Sequence, residues 1–266
     1  MPHWIRIISA IAVVLFGFWG DDALGAEAQT SYRPVVCEGS YPHHLQGVCV
    51  DGAGNIFWSF TTRLVKTDAQ GKTLKQIEVA NHHGDLTWHD GKVYVAVNLG
   101  KFNQPKGSAN SWVYEYEADD LTLTKKYEVQ DVVHGAGGIA WRDGRFLVVG
   151  GLPEGAASNV VYEYDGDFRL IKEHVLAGGY TLMGIQTVAF ADGHWWFGCY
   201  GKPAILLKAD PDFSNVQRFE FNGSLGIVPL GGGKFLIGKD RVEDKLHIGS
   251  LVAAEADEKT GLRLTP

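Results

Sequence analysis

The chain has 266 residues, 45% of them apolar and 21% charged, with a formal net charge of −7. That length fits one large domain or two small ones, and the apolar share is enough for a proper core. A mildly acidic chain without a basic stripe is a poor partner for nucleic acid, whose phosphates call for Lys and Arg.

The N-terminus reads as a targeting segment. Arg6 supplies a positive n-region and Ile7–Trp19 an apolar h-region, too short for a membrane-spanning helix of roughly 20 residues. Small residues follow up to Ala28, so residues 1–28 are expected to be removed on export to a secreted or periplasmic location; an uncleaved anchor is the alternative. The mature chain then carries no membrane span. Loss of Arg6, Asp21, Asp22 and Glu27 leaves it a charge of −5. Three cysteines remain. Cys37–Cys49 would close a short loop if the Cα atoms come near enough, and Cys199 reads as a buried small apolar residue.

Residues 32–266 read as a single all-β domain. Gly84–Asn98, GDLTWHDGKVYVAVN, is an apolar strand, an Asp90-Gly91 turn and a second alternating strand. The phrase recurs in Gly138–Val149 and Thr187–Phe197, and more loosely in Gly47–Phe57 and Gly226–Ile237. Fixed at Val48, Leu86, Ile139, Val188 and Val228, the units are 38, 53, 49 and 40 residues apart, the range of four-stranded propeller blades. A third strand follows each hairpin, as in Trp112–Tyr116 and Val160–Tyr164, and then a fourth alternating one. In the fifth unit Leu246–Val252 is the expected third strand. Leu262–Leu264, or Arg33–Cys37 from the other end of the chain, is the expected fourth. The resulting expectation is a five-bladed β-propeller. Six blades would need an undetected unit, and a β-sandwich ranks third.

The phrase Gly47-Val48-Cys49-Val50-Asp51, continued by Gly54-Asn55-Ile56-Phe57-Trp58, resembles the NHL and SMP-30 (gluconolactonase-like) propellers over about residues 40–240. Those families commonly have six blades, so five departs from them. His44-Leu45-Gln46-Gly47-Val48 is also similar to the five-bladed glutaminyl cyclotransferases. The acidic ring residues of that family are not evident at the starts of the other units, so its activity is not carried over.

A propeller gathers its inter-blade connections and its second-to-third-strand loops around one mouth of the central channel. The expected connections are Pro42–Gln46, Asn81–Asp85, Val133–Gly137, Tyr180–Thr187 and Asn222–Gly226. Five of the ten histidines, His43, His44, His82, His83 and His134, fall in the first three. Imidazole binds metals and moves protons near neutral pH. His44, His83 and His134 are therefore the candidates for a divalent metal or for proton transfer, with Asp85 assisting and Lys239 orienting an anionic substrate. Gln46, Arg63, His82, Asn98, Gln186, Tyr200, Lys202 and Asp240 are the candidate ligand-binding positions on the same rim. The competing reading is that these side chains hydrogen-bond neighbouring loop backbones, and no local motif such as HExxH certifies a metal. Long loops at Asn98–Ser111 and Gly150–Asn159 read as walls or a lid. Trp58, Trp195 and Trp196 read as packing between blades. No Gly-x-Ser-x-Gly elbow occurs.

Two functions fit this pattern. One is an exported hydrolase or lyase acting on a small anionic substrate or glycan, such as a lactone, ester or uronic acid. The other is a non-catalytic propeller binding a small ligand, glycan or protein at the same mouth.

Overall fold

A computed structural model describes residues 34–265; the expected targeting segment and Arg33 lie outside them. Strands and short turns account for the regular structure of the described residues. None of these residues forms a helix long and apolar enough to cross a membrane.

After the short β1 (Val35–Val36), β2 (Gly47–Val50), β3 (Ile56–Ser59), β4 (Thr61–Thr67), β5 (Thr73–His89), β6 (Lys92–Asn98), β7 (Ser111–Glu117) and β8 (Leu123–Glu128) follow one another. β2 to β8 make one seven-stranded antiparallel meander. A four-stranded sheet follows from β9 (Ala136–Arg142), β10 (Arg145–Gly150), β11 (Asn159–Tyr164) and β12 (Leu170–Leu176). β13 (Leu182–Ala191), β14 (His194–Tyr200), β15 (Ile205–Ala209) and β16 (Gln217–Glu220) make the next. The last sheet holds β17 (Ile227–Gly231), β18 (Lys234–Glu243), β19 (Leu246–Asp257) and β20 (Gly261–Leu264), with β1 added to it.

The turns explain the regularity. Asp90-Gly91, Asp143-Gly144 and Asp192-Gly193 all have positive φ at both positions. That is the two-residue turn whose twist matches a right-handed hairpin, and Asp-Gly is among the pairs that adopt it readily.

β2, β5, β9, β13 and β17 touch one another in cyclic succession, β17 returning to β2. The ring is tight enough to forbid side chains at its closest approaches. A Cβ on Gly84 would stand 2.3 Å from the Gly137 carbonyl oxygen, so glycine is there for space. Sheets radiating from such a ring make a β-propeller. Apolar clusters fill the gaps between sheets: Trp195, Phe197 and Leu207 against Val149 and Val161, and Trp196 against Phe235 and Ile237. Trp58 is fully buried beside Phe60 and Leu251, so all three tryptophans in question serve packing.

Three local expectations change. The stretch 81–85 lies inside the continuous strand β5, which pairs with β4 from Thr73 to Glu78 and, past a register shift, again at His83, and with β6 from His83 onward. Its polar residues suggested a loop, but ladder hydrogen bonds come from the backbone and ignore side-chain polarity. In the last sheet both expected partners of β19 are present. β1 pairs with Ser250–Leu251 and β20 with Ala254–Asp257, because the twelve-residue β19 has edge enough for both. The cysteines are all free and buried. Cys37 and Cys49 point into different apolar clusters, so the expected pairing is not made.

Candidate functional site

The polar centre of the candidate site is Gln46, which is buried immediately before β2. Its amide nitrogen lies 3.0 Å from His44 Nε2, from His82 Nε2 and from Thr61 Oγ1. An amide nitrogen carries two hydrogens, so three partners compete for two donors. Tyr200, at the end of β14, brings its hydroxyl to 3.2 Å from His44 Nε2. Burial first, and then Asp240, push that phenol up to about 12, so it keeps its proton at neutral pH.

Both imidazoles are held neutral. Burial lowers His44 below its usual 6.5, against the opposing pull of the Asp240 carboxylate. Burial also lowers His82, and the neighbouring His44 lowers it further. The His82 ring runs nearly parallel to Phe102, with ring centroids 6.1 Å apart, and its buried Nδ1 meets no partner among the described residues. Buried polar atoms are nearly always satisfied, so an orphan beside a cluster of polar groups marks this spot. Thr61 adds a second mark. Its φ of 56° is uncommon for a β-branched residue, and such conformations concentrate at functional sites.

Asp240 lies beside this cluster and is held at both carboxylate oxygens. One carboxylate oxygen accepts from the Leu45 N–H at 3.0 Å, and the other lies 2.7 Å from His247 Nδ1. Asp85 sits deeper, fully enclosed by the inner strands. It accepts from the Val188 N–H at 3.2 Å and from the N–H groups of Leu86 and Val48. Burial lifts its carboxyl well above the usual range despite those three bonds.

His44, His83 and His134 are not brought together. His83 is buried apart from the Gln46 cluster, with Nδ1 2.6 Å from the Ala80 carbonyl oxygen and Nε2 2.8 Å from the Tyr116 hydroxyl, so both nitrogens are occupied. His134 places Nδ1 2.9 Å from the Gln104 carbonyl oxygen and accepts from the Asn103 N–H through its own carbonyl. It fastens the long loop after β6. Among the described residues no group of three or more His, Cys, Asp or Glu side chains is placed to hold a metal ion, and the donors present do not fit the expected divalent metal.

The remaining candidates divide in the same way. Arg63 pairs with Glu78 at 2.6 Å. Asn98 accepts from the Asn110 N–H and donates to the Gly100 carbonyl, ordering its own loop. Gln186 donates to the Met183 carbonyl at 2.8 Å. Lys239 donates to the Asn222 carbonyl with its ammonium over the Phe221 ring, and Lys202 is exposed. His44, Gln46, His82, Tyr200 and Asp240 are the candidates that form one connected site. His247 and Phe102 join it without having been foreseen. The useful signal for His247 was the charged Lys239-Asp240-Arg241 run, which places the far strand of that hairpin on the rim as well.

The geometry of His83 has a consequence for pH. Its folded value, lowered by burial to about 4, lies below the ordinary 6.5. The unfolded chain therefore binds the extra proton between those values, and stability that is complete above pH 6.5 is lost as pH falls toward 4. The swing is roughly 3 kcal/mol at 1.36 kcal/mol per unit. Urea midpoints measured across that window should fall with acid in the parent and run flatter in His83→Asn. Parallel profiles would remove His83 as the cause.

No family model matches the sequence, and no curated protein matches it. Solved structures do resemble the fold. Glutaminyl cyclase from Myxococcus xanthus is 12% identical at a TM-score of 0.56, over 85% of this chain and 100% of that one. A protein of unknown function from Bacteroides caccae is 17% identical at 0.52, over 86% and 83%. A nidogen/laminin complex matches at 9% and 0.51, over 79% and 75%. Identities this low speak for the fold alone.

Proposed function

We propose that this chain is an exported five-bladed propeller whose mouth binds a small neutral ester, amide or lactone, with His44 and His82 transferring protons. The observation that carries this reading is the meeting of two neutral imidazoles at the single amide nitrogen of Gln46. The five-blade count is supported by the cyclic contact of β2, β5, β9, β13 and β17. In that count the seven-stranded sheet is two blades sharing β5. Kinship with the NHL and SMP-30 propellers rests on a hairpin phrase that builds a blade, and lends nothing to the chemistry. Export rests on residues 1–28.

The chemistry follows from the charges. A neutral imidazole is a competent general base near neutral pH. When His44 takes a proton, the carboxylate of Asp240 favours the resulting cation, and His247 and the Leu45 N–H hold that carboxylate in place. The Tyr200 hydroxyl, still protonated, supplies a donor beside the same ring. Arg63 and Lys239 do not join the cluster, so a neutral head group suits it better than the anionic one expected from sequence.

With 4-nitrophenyl acetate and γ-butyrolactone as substrates, His44→Ala and His82→Ala should each lower kcat/KM by about 10²–10⁴. The parent's rate should rise with pH through a group titrating below 6.5. A parent protein inactive on both compounds would sink the catalytic part and leave a binding mouth.

A further inference from the structure

Beside the polar cluster lies an apolar ledge. Tyr180, Leu182 and Met183 are 39%, 48% and 37% exposed, side chains that ordinary packing would cover. Leu182 stands directly opposite Tyr200 in the β13–β14 ladder. Directly opposed residues of an antiparallel pair project from the same face, so Leu182 shares its face with the phenol that reaches His44 Nε2. The ledge is also fixed in shape. The ladder slips between Leu182 and Ile185, Met183 has a φ of 60° and Gly184 one of 77°. Gly184 is wedged so closely against β10 that a Cβ there would stand 2.1 Å from the Gly150 carbonyl oxygen. A bulge of this kind re-aims side chains at the edge of a site.

We infer that the ligand is two-ended: a neutral hydrogen-bonding head at His44, Gln46 and His82, and an alkyl or aryl tail lying on Leu182 and Met183. This rests on the reading of the mouth given above and extends it to the substrate's non-reacting half. The occupant is the tail of a small molecule, because Leu182 pairs with the same Tyr200 whose hydroxyl reaches His44, and the polar cluster there leaves hydrogen-bonding capacity unspent at His82 Nδ1.

The test is calorimetric titration with acetamide, butanamide and hexanamide. Full burial of a methylene is worth roughly fourfold in affinity. A half-open ledge should therefore tighten binding on the order of tenfold from acetamide to hexanamide. Leu182→Asn should erase that gain while leaving acetamide unchanged, and Leu182→Met should restore it. Leu182 is exposed, so neither substitution threatens the fold. Equal affinity along the series overturns the inference and leaves the mouth reading intact, as does a gain that survives in Leu182→Asn. A dimer in sedimentation that Leu182→Asn dissolves would assign the ledge to a second copy and overturn it too. Failure of every amide to bind would overturn both readings together.

Discussion

Asp85→Ala should be among the most damaging single substitutions in this protein, lowering the free energy of unfolding by about 3 kcal/mol or more. The carboxylate gathers backbone N–H groups from three inner strands: Val48 of β2, Leu86 of its own β5 and Val188 of β13. Removing it strands three buried donors, each worth about 1–3 kcal/mol when unsatisfied, offset in part by relief of the buried charge. Against a typical total of about 5–15 kcal/mol this is severe. A carboxylate suits the position because it has more acceptor sites than an amide oxygen, so Asp85→Asn should lie between parent and alanine variant. Chemical denaturation gives the answer as a midpoint shift at constant m-value. A loss under about 1 kcal/mol in Asp85→Ala would show that the three strands hold without it. The pH dependence runs opposite to that of His83. Burial raises the folded Asp85 carboxyl above its ordinary 3.8. Its contribution is therefore complete below that value and is lost as pH rises through the folded one, a slope that Asp85→Asn should abolish.

Gly47→Ala should cost a comparable amount through space rather than hydrogen bonding. A Cβ at this position would stand 2.2 Å from Asp85 Oδ1 and 2.4 Å from the Asp85 Cα. Rotating the Asp85 side chain cannot relieve a clash with its own Cα, so β2 and β5 must separate. Overpacking alone costs about 1–3 kcal/mol. Here it also pulls the carboxylate off its donors and displaces Gln46, one residue earlier, from both imidazoles. The variant should thus lose stability and 4-nitrophenyl acetate turnover together. Normal stability with normal turnover would mean that the inner ring yields more easily than its spacing suggests.

Much of the architecture was legible because its cause is local. An Asp-Gly pair flanked by alternating apolar residues has few conformations open to it, and each such pair in the hairpin phrase is a turn of the expected kind. The site was legible only to the level of its neighbourhood. His82 and His83 are adjacent, so in an extended chain they face opposite ways. His82 turns toward Gln46 and the mouth, whereas His83 turns into the core toward Tyr116. Nothing in the sequence says which of the two takes which face. Asn98 and His134 show a second limit. Both sit at rim positions, and both are consumed in holding the loop after β6. A polar residue beside a site and one inside it have the same letter.

β19 takes β1 and β20 along one edge, and this arrangement sets an order of events in time. Val35 meets Leu251 almost a full described chain later, so that rung cannot form until the last sheet exists. The other sheets are meanders of sequence neighbours and can assemble early from short-range contacts. The final rung joins residues of very large sequence separation, a contact that forms only after the sheets between them. A chain with this pairing belongs among slow folders, and before the final rung forms it exposes an unpaired β19 edge to any strand nearby. The few residues at the start of the fold thus govern how long the molecule stays vulnerable while it is being made.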